Sequence, residues 1–438
     1  MPIVERLWYT RNRYLNSLLP LILAVKEMPK GIYECINCGH REVKDSNEAL
    51  LEKSCPKCGD DMLLVGFELS GEEIQSEEAV NEGLYKKLME FYEFGEMRHE
   101  GQLTAFEVVA IKEENFEKVL RELEKFGYWA ALKKRDGKIV LYVFPAQPIK
   151  KDNPWIGIAL FIATVISTFF AGYWLSLNYV AFLDEFNLPG IRNVYLNALA
   201  FSISILAILG THEMGHKIAA TIHGVKSTFP YFIPFPNILG TMGAVIRVKS
   251  PIPTRNAAIA LGVSGPIAGF LVAIPVSIIG LKLSAAIPMS LAPPMEGGIY
   301  FGQNLLFMIL YKAFFGNQDL LVQLHPVAIA GWVGVLVTFL NLIPAAQLDG
   351  GHVARAFMGE KLHYYFTMAI GFALFMLGIL WPVWILWALI ILLIGRIGNP
   401  GALDEVSPIG LKEKILALIV LIIFLLSATP VPISTNIG

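Results

Sequence analysis

From residue 154 onward the chain passes through one long uncharged apolar stretch after another, which leaves it few folding options. Backbone in hydrocarbon must satisfy its own N–H and C=O groups, so runs of about 20 apolar residues crossing a ~30 Å core have to be helices. The candidate spans are residues 155–178, 195–222, 256–281, 326–347, 364–380, 382–396 and 412–428, with a weaker apolar stretch at 301–315. Composition agrees: 55% of the 438 residues are hydrophobic and only 16% charged, unlike a soluble globular chain. The expected fold is a polytopic α-helical membrane protein of about six to eight spans, preceded by a cytosolic zinc ribbon and a small α/β domain.

The first 150 residues alternate charge and hydrophobe in the ordinary way, so the division is placed at about residues 146–153. Residues 1–31 form an apolar or interfacial segment. Their run at 15–25 follows Arg11 and Arg13, but Pro20 interrupts it and it is shorter than the ~20 residues of a spanning helix. Residues 32–66 carry Cys35, Cys38, Cys55 and Cys58 as two CxxC knuckles, each followed by glycine. Four thiolates at that spacing suit a structural tetrahedral Zn²⁺ in a reducing compartment rather than a disulfide framework. Residues 82–146 read as an α/β module: helix 84–96, strand 103–111, helix 115–126, and a hairpin of 128–134 and 138–144 turned at Asp136-Gly137. Nothing in the module has catalytic spacing, and a regulatory or substrate-filtering role is the expectation for it.

The membrane part occupies residues 154–428. Lys150, Lys151, Lys217, Lys226, Arg255 and Arg396 fall on one side if the chain starts inside, with Arg192 and Lys282 nearly alone on the other. That places the N-terminal domains in the cytosol and the protein in the cell membrane as a multi-pass chain. The formal net charge of −2 provides no basic face for nucleic acid.

Within the second candidate span lies His212-Glu-Met-Gly-His216, an HExxH motif. Residues i and i+4 share a helical face with Cβ atoms ~6 Å apart, so His212 and His216 suit two neighbouring positions on one metal. Glu213 points about 100° round the helix, toward a water at the metal rather than the metal itself. Two histidines and a glutamate in a span are costly unless they face partners or a polar cavity, which makes them a functional hypothesis by default. A third ligand is needed, and Asp349 offers it. It is read as closing the helix that starts near residue 327, in the run Asn341-Leu-Ile-Pro-Ala-Ala-Gln-Leu-Asp-Gly-Gly, where Gly350 and Gly351 permit close backbone approach. For Asp349 to meet the histidines at one membrane face, 256–281 and 326–347 must cross while 301–315 does not.

HEMGH followed by NLIPAAQLDGG resembles the paired motifs of the site-2 protease family of intramembrane zinc metalloproteases. The intervening residues 262–269 (GVSGPIAG) resemble the small-residue span that lets the catalytic helices approach. The likeness covers roughly residues 195–358, and the N-terminal metal domain, GTMGAVIRVKS and the later Gly-Asn-Pro at 398–400 are most similar to archaeal members and the chloroplast EGY-type branch. The resemblance implies one catalytic zinc on His212, His216 and Asp349, Glu213 as general base and then acid, and Asn341 holding substrate or the oxyanion. It also implies a transmembrane protein as substrate, cut within or near its helix in the bilayer. Gln347 and Leu348 depart from the proline-containing dipeptides common before the aspartate in many members, and His352 follows the glycine pair.

Residues 229–248 (FPYFIPFPNILGTMGAVIRV) are apolar but broken by proline and glycine, so a re-entrant hairpin or edge strand beside the metal is expected, able to pair an unwound substrate segment. His223, His325 and His363 are expected to play no catalytic part. The competing reading is a multispan metal transporter or sensor with a cytosolic zinc ribbon. It predicts ion-binding groups spread over several spans, whereas here they converge on two helices. A homodimer is compatible with the sequence.

Overall fold

The computed structural model describes residues 31–35, 40–44, 56–58, 62–67, 77–100, 103–149, 152–292, 299–379 and 381–435. By packing these fall into two units, residues 1–87 and 88–438. The first holds an antiparallel sheet of β1 (Gly31–Cys35), β2 (Arg41–Lys44) and β3 (Met62–Phe67), ordered β2-β1-β3. Cys35 ends β1 and Cys58 sits in an exposed turn. Cys38, Cys55 and the apolar run 15–25 lie outside the described residues.

Helix α1 (Glu77–Phe91) stops earlier than the expected 84–96, and β4 (Tyr92–Glu100) starts at once. Tyr92 and Phe94 suit a strand, Gly95 weakens a helix, and pairing with β5 (Leu103–Ile111) from Tyr92↔Ile111 to Glu100↔Leu103 decides the matter. Helix α2 (Phe116–Glu124) is capped by Asn115, whose side chain accepts from the Lys118 N–H at 3.1 Å, and it buries Phe116, Val119, Leu120 and Leu123. Strands β6 (Tyr128–Arg135) and β7 (Lys138–Pro145) form the hairpin. Asp136 (φ 51°) and Gly137 (φ 83°) supply the two positive φ angles of a two-residue hairpin turn.

In the apolar part α3 (Pro154–Glu185) and α4 (Val194–Ile222) are followed by the hairpin β8 (Tyr231–Pro234) and β9 (Thr241–Val245). Next come β10 (Ile252–Thr254) and α5 (Arg255–Leu283). Beyond β11 (Ala285–Pro288), β12 (Ile299–Phe301), α6 (Leu305–Phe315) and β13 (Leu320–Gln323) lies α7 (Pro326–Asn341). The remainder is α8 (Asp349–Leu377), α9 (Val383–Ile397), β14 (Ala402–Asp404), α10 (Leu411–Ser427) and β15 (Ile433–Thr435). By length and composition α3, α4 and α5 are long and apolar enough to cross a membrane. At 1.5 Å per residue α6 extends only ~16 Å, about half the hydrocarbon core. Trp155, Phe170 and Trp174 on α3 are exposed, which suits lipid better than water.

Helix α5 is the central element, packed against α4, α7 and α8, and its Ile259, Val263 and Phe270 share one apolar core with Ile205 and Ile208 of α4 and Trp332 of α7. Two expectations are corrected along α7 and α8. The helix read as 326–347 ends at Asn341, and a helical segment not expected from the sequence begins at Asp349 and breaks at Gly359 (φ 74°), ahead of the expected 364–380, so Asp349 opens a helix instead of closing one. Pro344 lacks an N–H to continue α7, and Ala346 adopts φ 52°, which turns the chain back. Gly350 and Gly351 then let the start of α8 lie against the carbonyls of Leu342, Ala345 and Ala346, where a Cβ would collide.

The sheet of the α/β module continues past its own sequence. Beside β6 runs β14, with Asp404 opposite Leu132, and beside β14 runs β10, giving a six-stranded sheet ordered β10-β14-β6-β7-β5-β4. Two strands from the apolar part thus cover what would be an open edge of β6.

Candidate metal centre

Three groups converge between α4 and the start of α8. The Nε2 atoms of His212 and His216 are 3.2 Å apart, and Asp349 Oδ2 is 3.3 Å from each. Among the described residues this is the one cluster of at least three His, Cys, Asp or Glu side chains placed to hold a metal. The spacing fits zinc: ligands at ~2.05 Å in a tetrahedron stand about 3.3 Å from one another. Bond donation fits too. His216 Nδ1 lies 2.7 Å from the Leu261 carbonyl and donates to it, which leaves the Nε2 lone pair facing the cluster. Two imidazole nitrogens and a carboxylate oxygen, each about 3.3 Å from the others, are placed so that one cation would meet all three at once.

Helix α5 makes room for this centre. A Cβ on Gly265 would strike the His216 imidazole, one on Gly269 would sit 3.1 Å from His212 Nδ1, and one on Gly262 would meet the Asp349 carbonyl at 2.6 Å. From α4, Gly215 approaches the Ser264 carbonyl equally closely. The run GVSGPIAG is therefore the seat on which both metal-bearing segments rest.

Glu213 is buried beside the triad, with the backbone of Ile246, just past β9, near its carboxyl. Strand β8 packs on α3 and β9 touches α4, the helix of the histidine pair; the ladder of the hairpin runs Tyr231↔Val245 and Phe232↔Ala244. Asn341, the last residue of α7, has its amide 3.3 Å from His212 Nε2. Other histidines serve packing. His223 caps α4 and bonds Glu117 of α2 at 2.7 Å, and His325 caps α7 while contacting Asn197 Oδ1 at 3.1 Å. His363 is buried on α8 outside the cluster.

Reading the sequence did not assign the loop after α9. Asn399 is buried and donates from Nδ2 to the Ala346 carbonyl (3.2 Å) and to His352 Nδ1 (3.3 Å). Arg355 is buried between the Asn399 carbonyl and the Glu405 carboxylate. The Gly-Asn-Pro at 398–400 was the available signal, but nothing local in it points to residues some fifty positions earlier.

Residues 200–378 match Peptidase family M50. The probable zinc metalloprotease EGY1, chloroplastic, of Arabidopsis thaliana is 33% identical over 242 residues, covering 53% of this chain and 43% of that protein. The probable zinc metalloprotease EGY2, chloroplastic, of Oryza sativa subsp. indica is 29% identical over 286 residues, covering 60% and 49%. This chain thus spans less than half the length of these curated relatives. A solved structure, the Site-2 Protease from Methanocaldococcus jannaschii, aligns with 51% of this chain and 86% of its own at 16% identity and a TM-score of 0.28. The matched segment is the one that carries the histidine pair, Glu213, Asn341 and Asp349, so the chain is similar to peptidase family M50 over its candidate metal centre.

Proposed function

We propose that this protein is an intramembrane zinc metalloprotease that hydrolyses peptide bonds within or near transmembrane helices of membrane proteins. The observation that carries the reading is the triangle of His212, His216 and Asp349 with Glu213 alongside, set among apolar helices. These three side chains would hold the zinc. When bound, zinc supplies Lewis-acid polarisation of the scissile carbonyl and makes water more acidic. Glu213 takes the proton of the attacking water and passes it to the departing amine nitrogen, acting first as base and then as acid. The amide of Asn341, next to the ligands, is placed to steady the carbonyl oxygen of the substrate.

A peptide bond within a helix is shielded, so the substrate must unwind first. The hairpin of β8 and β9 has no third strand among the described residues, and an unwound segment added to it would lie along Glu213. The basic residues support a multi-pass protein of the cell membrane with about six to eight spans and the N-terminal domains in the cytosol. The four cysteines would hold a second, structural zinc, and the module of residues 82–146 would act in regulation or substrate filtering. Transport is disfavoured because the ligands sit at one centre rather than along a path.

Two measurements test this. In proteoliposomes containing a membrane-embedded reporter, a zinc chelator is expected to stop cleavage and added Zn²⁺ to restore it; cleavage indifferent to chelation would refute the metalloprotease. Metal analysis of the purified chain is expected to fall from about two zinc ions to about one when Cys35 and Cys58 are both changed to serine, as loss of a four-thiolate site requires. Unchanged stoichiometry would remove the ribbon.

A further inference from the structure

We propose that Asn399 is a positioning residue for Asp349, and that the loop carrying it is a strut tying the α/β module to the metal centre. The inference rests on the metalloprotease reading above and adds to it a link between the module and a ligand.

The turn from α7 to α8 depends on Ala346, whose φ of 52° lies in the left-handed region that alanine avoids because its Cβ crowds the backbone. Such a conformation persists only where its surroundings over-determine it. Here both peptide groups of Ala346 are held. Its N–H donates to Thr367 Oγ1 at 3.1 Å, and its carbonyl accepts from Asn399 Nδ2 at 3.2 Å. Asn399 also donates to His352, one turn beyond Asp349, and its Oδ1 accepts from the Gly401 N–H. Gln347 Nε2, in the same turn, donates to the Gly398 carbonyl at 2.8 Å. One short loop therefore grips the chain on both sides of Asp349.

The other end of that loop is built into the module. Residue 402 begins β14, which lies between β6 and β10. Lys133 of β6 donates to the Ala402 carbonyl at 2.9 Å and pairs with Glu405 at 3.0 Å. Glu405 also accepts from the buried Arg355, six residues along α8 from Asp349. The path Lys133, Glu405, Arg355 and Asn399 is thus a continuous set of hydrogen bonds from the module sheet to the metal-bearing turn. β10 leads directly into α5, the seat of both histidines, so the same sheet touches both halves of the centre.

The test uses full-length protein in detergent or nanodiscs and reads zinc affinity by chelator competition, together with hydrogen exchange of residues 344–352 in the metal-free protein. Asn399→Asp keeps the size and removes both donors. It is expected to weaken zinc binding about 10–100-fold, the range for lost partners of metal ligands, and to speed exchange in the turn. Adding Ala346→Gly, which adopts the left-handed conformation without the clasp, is expected to restore part of that affinity, an outcome that general destabilisation would not give. Lys133→Ala, outside the membrane part, is expected to weaken zinc binding several-fold. Unchanged affinity and exchange in Asn399→Asp overturns the positioning role, and an effect in Asn399→Asp with none in Lys133→Ala overturns the strut. If wild-type protein binds no zinc beyond the one lost on changing Cys35 and Cys58 to serine, the metalloprotease reading itself has failed, so the two failures are told apart.

Discussion

Glu213→Gln is expected to lower cleavage of a membrane-embedded reporter about 10²–10⁴-fold, the usual contribution of a positioned general base, while zinc content stays as in the wild type. Glutamine keeps the length of the side chain, so its neighbours have no reason to move. It cannot accept a proton from water. The contrasting change is His212→Ala, which removes a ligand and should lose metal and activity together. Retained cleavage in Glu213→Gln would sink the assigned role, and loss of zinc along with cleavage would make Glu213 a ligand instead.

The second large effect should come from a residue that carries no chemistry. In Gly265→Ala the new methyl group would occupy the place of the His216 imidazole. The ring cannot swing aside cheaply, because its Nδ1 is tied to the Leu261 carbonyl on the same helix that bears the methyl group. Zinc affinity is expected to drop by about 100-fold or more, the upper end of what lost support of a ligand costs, with cleavage falling in parallel. Gly210→Ala on α4 is the control. Its Cβ would make ordinary contact at 3.6 Å with the Phe232 ring, and a helical glycine-to-alanine change there is expected to shift stability by no more than about 1 kcal/mol. Equal zinc affinity in the Gly265 variant would show that α5 does not seat the histidine.

Both experiments separate what is local from what is not. HExxH is local: the pitch of a helix alone puts His212 and His216 on one face and Glu213 beside them, so the chemistry of that segment follows from spacing. Asp349 is legible as the third ligand and does meet the histidines, yet the helix it opens is not legible. The break at residues 342–348 depends on a left-handed Ala346 that only distant partners, Thr367 and Asn399, make tolerable. The strand at residues 92–100 shows the same limitation, since a segment compatible with a helix became a strand because β5 was there to pair with it.

What the sequence determined by itself was the solvent and the reagent: long uncharged runs that demand helices in lipid, and a histidine pair with a glutamate at helical spacing. Only the tertiary structure decided how the third ligand arrives, that three glycines of α5 make space for the centre, and that the α/β module shares a sheet with β10 and β14. The physical reason is range. Periodicity and ligand chemistry act between residues three or four apart, whereas close backbone approach, strained turns and strand addition depend on groups some twenty to nearly three hundred positions away, which no local pattern encodes.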